Sequence, residues 1–157
     1  MLQEQQFSLL LTDETTALQY LGDILKQEYQ ALLEGDIAVI ENVTGKKNEA
    51  LANQAQCMKS RKYFAAQCSA DPSDTGMEQL IDSYSNSDDL TASFALLTSL
   101  ARECHDANRT NGRLIAEKQQ QALLALDILR QTKKTIPTYS VQGKADNTPS
   151  SKSLGKA

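Results

Sequence analysis

Residues 11–36 read LTDETTALQYLGDILKQEYQALLEGD. Within this stretch Leu11, Glu14, Leu18, Leu21, Leu25, Glu28 and Leu32 recur every three or four residues, with Phe7 one step before them. Five of these seven positions are leucine, which is the seam of a coiled-coil-like helix and predicts a helix over 4–34. Leu33-Glu34-Gly35-Asp36 stops it: Gly35 suits a left-handed helix end, and Asp36 suits the cap of a following helix. A junction this short permits only an antiparallel hairpin.

Working outward, the second arm is expected over 37–70. Its seam is Ile37, Ile40, Thr44, Lys47, Leu51, Gln54, Met58, Arg61, Ala65 and Cys68. Each arm has about 30 residues and spans about 45 Å. Asp71-Pro72-Ser73-Asp74 breaks the pattern, and Thr75-Gly76-Met77-Glu78 fits a capping box with Thr75 as the cap of a short helix ending near Tyr84. After a loop over 85–89, capped by Ser87 or Asp88, a last helix is expected over 89–134. Its seam is Leu90, Phe94, Leu97, Ala101, Cys104, Asn108, Asn111, Ile115, Lys118, Ala122, Ala125 and Leu129. At about 70 Å it exceeds either arm, so one end overhangs or it bends, with Gly112 the weak point. Beyond Pro137 the chain is rich in Ser, Thr, Lys, Gly and Asn, a composition that favours a flexible tail. The expected architecture is all-α: a helical bundle over 1–136, made of the hairpin, a short helix and a long C-terminal helix, and a flexible basic tail over 137–157.

Composition removes several function classes. The 157 residues carry 16 bases against 20 acids and a single histidine, with no tryptophan. Residues 131–157 hold five lysines against Asp146, a net of +4, which leaves −8 on the first 130. An acidic body makes a poor binder of nucleic acid or anionic membrane. The start of the chain lacks the basic and apolar regions of a signal peptide, and no apolar run is long enough to span a bilayer. Cys57, Cys68 and Cys104 are odd in number and irregular in spacing, as expected of reduced thiols in a cytosolic protein. Cys104-His105 invites a zinc reading, but all three cysteines fall on helical patterns rather than on paired turns. No cofactor or metal is expected.

Glu14 and Glu28 lie on one face of the first helix, fourteen residues apart, as do Lys47 and Arg61 on the second. They read either as a paired-carboxylate site or as polar layers that fix helix register, and register is the stronger reading. A di-iron carboxylate bundle needs Glu-x-x-His on two helices, which one histidine cannot supply. No convergent acid, base and nucleophile is visible, so the chain is not read as an enzyme. Lys59-Ser60-Arg61-Lys62-Tyr63-Phe64 is too short a basic cluster, in too acidic a body, for nucleic acid. Asn108 and Asn111 interrupt the last seam, either as a polar layer facing the hairpin or as a recognition site. A second apolar row on that helix, Leu96, Leu100, Ala107, Leu114, Leu124 and Ile128, is either core or a surface that docks a partner helix.

These features in this order resemble the FlgN flagellar export chaperones. The resemblance rests on Leu18, Leu21, Leu25 and Glu28 in the first helix, and on Gly35-Asp36 followed by Lys47 and Leu51. Its sharpest piece is Asn108-x-x-Asn111-Gly112-x-Leu114-Ile115, and Tyr139-x-x-x-Gly143 is similar to the family's tail. The sequence after Gly143 departs from that ending. The resemblance implies a cytosolic chaperone without ATPase activity. It would bind the C-terminal amphipathic segment of the hook–filament junction proteins FlgK and FlgL, prevent premature assembly, and deliver them to the export gate FlhA. Leu114, Leu124, Ile128, Asn108 and Asn111 are then the expected client contacts, and Tyr139 the expected gate contact. The competing reading is a structural coiled-coil subunit acting by self-association, which could also hide the apolar row.

Overall fold

The computed structural model describes residues 2–135. Four helices follow in order: α1 (Leu2–Glu34), α2 (Ile37–Gln67), α3 (Asp74–Asp82) and α4 (Ser87–Thr135). The described chain has no strand. It divides into two compact units, the first ending at Gln119 and the second beginning at Gln120.

The hairpin forms as its junction dictates. Gly35 adopts φ 74°, and the Asp36 carboxylate accepts the Val39 N–H at 3.2 Å. Pairing along the arms keeps one register: Glu28 meets Lys47 and Glu14 meets Arg61, so fourteen residues back along α1 match fourteen forward along α2. Each pair is offset by about a turn from simple mirror positions around Gly35. Helical side chains lean toward the N-terminus of their own helix, and on antiparallel helices those leanings converge.

Helix α1 is covered on more than one side. Its leucine seam is buried, and so is a third row, Ala17, Ile24 and Ala31. One neighbour covers one stripe, so three buried rows mean that α1 packs against two helices. The second neighbour is α4. Its Cys104 thiol donates to the Leu18 carbonyl at 3.3 Å, and its Asn111 amide to the Leu25 carbonyl at 2.9 Å. Seven residues along one helix match seven along the other in the same direction, so α1 and α4 run parallel.

On α2 burial is shared between the expected seam, where Arg61 and Ala65 are buried, and the row one residue before it. Val43, Ala50 and Phe64 are buried, whereas Thr44, Leu51 and Met58 are half-buried and Ile37 is exposed. The helix ends at Gln67 rather than near 70. Ser69 takes φ 57°, and the Ala70 and Ser69 N–H groups return to the carbonyls of Ala65 and Ala66, a Schellman closure without glycine. The α3 cap is Ser73, not Thr75: the Ser73 hydroxyl accepts the Gly76 N–H at 3.2 Å, which places Thr75 inside the first turn. Gly76 packs so closely on the Asp71 carbonyl that a Cβ there would collide with it. Ser87 and Asp88 also lie inside their helix. The first α4 backbone bond runs from Leu90 to the Asn86 carbonyl, and the Asn86 N–H is held by the Glu4 carboxylate at 2.6 Å.

Met77 and Ile81 of α3 join Phe7, Phe64 and Leu90 in the core, where Phe7 stacks on Phe64 at 5.5 Å between ring centroids. Helix α4 is continuous through Gly112, whose missing Cβ would meet nothing.

Candidate functional site

Two polar layers cross the first unit. In one, Arg61 Nε lies 2.6 Å from Glu14 Oε2 and Arg61 Nη2 lies 3.3 Å from Glu14 Oε1. The guanidinium also sits 5.8 Å from the centroid of Phe94. In the other, Lys47 Nζ reaches both Glu28 oxygens, at 2.8 and 3.1 Å, and the Asn111 amide donates to Glu28 Oε2 at 2.8 Å. Among the described residues every buried side-chain polar atom has a partner. The carboxylates sit on one helix fourteen residues apart, about 21 Å along the axis, well beyond the spacing of a cooperating catalytic pair. Each is neutralised by its own cation. These layers set helix register.

The five expected client positions do not share one environment. Asn111 is buried, with its amide donating to both Leu25 and Glu28. Asn108 is exposed at the rim of a cleft of about 200 Å³ whose walls include Leu18, Leu51 and His105. Leu114 is half-buried in the first unit. Leu100 and Ala107, from the same apolar row, pack against the core. Leu124 and Ile128 belong to the second unit and are 57% and 64% exposed. Tyr139 and the expected tail over 137–157 lie outside the described residues.

The second unit holds a pattern that the two-row reading understated. Residues 122–129 read ALLALDIL, seven of the eight are apolar, and every one is exposed. Leu123, Leu126 and Leu129 stand at 64%, 49% and 60% exposure. Arg130, Lys133 and Lys134 follow directly, also exposed.

The chemistry-bearing residues elsewhere are structurally engaged. Burial pushes the Cys104 thiol pKa up, and burial with the charges of Glu14 and Asp13 does the same for Cys57, so neither is poised as a thiolate. Among the described residues no group of three or more potential ligands could hold a metal ion. No described helix is long and apolar enough to cross a membrane. The basic cluster at 59–64 is divided, with Arg61 and Phe64 buried and Lys59, Lys62 and Tyr63 exposed.

No curated protein matches the chain. A solved structure does: a flagella synthesis protein FlgN of Pseudomonas aeruginosa, 20% identical, with a TM-score of 0.63 over 74% of this chain and 91% of that one. At that identity the likeness speaks for the fold. The FlgN protein family itself matches residues 1–147, most of the sequence. The chain therefore belongs to the FlgN family.

Proposed function

We propose that this chain acts in flagellar assembly as a cytosolic export chaperone. It covers the C-terminal amphipathic segment of the junction proteins FlgK and FlgL, holds it back from premature assembly, and hands it to the export gate FlhA. The observation that carries this reading is the exposed apolar run at 122–129. A helix apolar on all sides and open to water is unstable against association, and an amphipathic client helix has the matching face. Family membership supports the flagellar setting. Binding of this kind works by mass action and release, with no covalent step.

Leu124 and Ile128 are the contacts that the proposal rests on. Leu114, Asn108 and Asn111 belong to the first unit, and Asn111 is already committed to its polar layer. Tyr139 is assigned to gate docking through the resemblance alone. The test is co-purification with an intact junction protein and with one lacking its C-terminal segment. Leu124→Asp with Ile128→Asp should abolish capture of the intact protein while far-UV circular dichroism stays unchanged. Capture that persists, or that does not need the client's C-terminal segment, overturns the proposal. Tyr139→Ala should leave capture intact and weaken binding to the gate; equal loss of both would refute that separation.

A further inference from the structure

The run at 122–129 carries more apolar surface than one partner helix can cover. Leu124 and Ile128 are four residues apart and share one line. Ala122, Leu126 and Leu129 lie on another, with Ala125 beside them. Residues two apart on a helix do not face each other, so Leu124 and Leu126 look in different directions. A single docked helix buries one such stripe and leaves the other in water.

The second stripe has a distinct electrostatic setting. Lys133 continues its line, seven residues beyond Leu126 and four beyond Leu129, and Arg130 flanks it, four beyond Leu126. Lys134 stands next to them. Over 122–135 these three bases face one acid, Asp127, whose contact with Arg130 is long, at 3.9 Å, and solvent-exposed. Exposed pairs of that kind exchange readily.

We infer that the Ala122–Leu126–Leu129 stripe is a second docking surface, and that its occupant is an amphipathic helix with acidic residues at the end lying over Arg130 and Lys133. Charge complementarity selects this partner. A second copy paired in parallel would set Lys133 against Lys133, and a lysine-ended helix would meet the same repulsion. If the acidic end is the partner's N-terminus, the two helices run antiparallel and the acids also sit where a helix favours them. This surface is separate from the Leu124–Ile128 line on which the proposed function rests.

The test uses the full chain and two synthetic amphipathic peptides of identical apolar face, one with four glutamates at its first turn and one with four lysines there. Calorimetric titration at low salt should show the glutamate peptide binding about tenfold more tightly. Leu126→Asp with Leu129→Asp should remove that tenfold preference, whereas Leu124→Asp with Ile128→Asp should retain it. Arg130→Glu with Lys133→Glu should reverse the preference toward the lysine peptide. All these side chains are exposed, so circular dichroism should be unchanged throughout. Equal affinity for the two peptides, or a preference that ignores Leu126 and Leu129, overturns the inference. So does a dimer in sedimentation velocity that dissolves in the Leu126→Asp, Leu129→Asp variant without any peptide binding. None of these results touches junction-protein capture, which is read separately.

Discussion

Glu14→Ala should be among the most damaging single substitutions in the first unit. The side chains of Glu14 and Arg61 are 2% and 8% exposed, and two hydrogen bonds join them. Removing the carboxylate leaves a buried guanidinium with only the Phe94 face as compensation. Breaking a buried pair costs about 3–5 kcal/mol. Arg61 also borders a cleft of about 510 Å³ shared with His105 and Asp106, through which water can partly resolvate it. We therefore expect the lower end, about 3 kcal/mol, a large share of the ~5–15 kcal/mol that holds a typical domain. Replacing both partners, Glu14→Leu with Arg61→Met, removes the desolvation cost along with the attraction. It should fall within about 1 kcal/mol of the parent or exceed its stability. The exposed Asp127–Arg130 pair supplies the contrast: Asp127→Ala should cost under about 0.5 kcal/mol. Urea unfolding followed by circular dichroism measures all of these, and the double-mutant cycle gives the coupling. A Glu14→Ala cost below about 1 kcal/mol, or a double variant less stable than either single one, would refute the argument.

Three further outcomes follow from local geometry. Gly76→Ala should lose about 1–3 kcal/mol through collision with the Asp71 carbonyl, whereas Gly112→Ala, with open space at its Cβ, should gain about 0.5–1 kcal/mol; equal effects in urea unfolding would contradict the packing. Asn111→Ala should cost about 1–3 kcal/mol, since the Leu25 carbonyl and Glu28 lose a buried donor; an unchanged urea midpoint would refute that. Burial, then the contact with Cys68 and the nearby charge of Glu4, pushes the Tyr84 pKa up from 10.0 to about 12. The unfolded chain ionises first, so this group's contribution is intact below pH 10 and is lost as pH rises through about 12; Tyr84→Phe should flatten that limb of the stability profile, and an unchanged slope would count against it.

The hairpin was legible because three signals agreed: the leucine seam, Gly35 and Asp36. The polar layers were legible because acids and bases repeat at the same interval of fourteen on facing arms. The Ala17–Ile24–Ala31 row was not, because alanine is the best helix former and its presence on a helix carries no directional information. The added buried row of α2, Val43, Ala50 and Phe64, was not legible beside a seam holding Lys47 and Arg61, which sit half-buried and buried where α1 supplies their counter-charges. Thr75 with Glu78 matches a capping box by spacing alone, but the hydroxyl that accepts a helix N–H is that of Ser73, two residues earlier. The apolar letters of α4 looked alike along its length. Burial separates Phe94 and Leu97 from Leu126 and Leu129, and burial depends on what packs alongside, which no periodicity encodes.

The parallel register of α1 and α4 has a kinetic consequence. The Glu28–Lys47 and Glu14–Arg61 contacts lie within the first 67 residues and join arms linked by one short turn. Contacts between α1 and α4 join residues 83 to 86 apart, such as Leu18 with Cys104. Loop-closure entropy makes near contacts fast and distant ones slow. The hairpin can therefore assemble while the ribosome is still making α4, and until α4 arrives the side of α1 around Leu18, Gly22 and Leu25 stands uncovered. Asn111, whose amide bonds both the Leu25 carbonyl and the already paired Glu28, would then be among the last residues to lock. Substitutions at Glu14 should slow folding, whereas those at Asn111 should mainly speed unfolding.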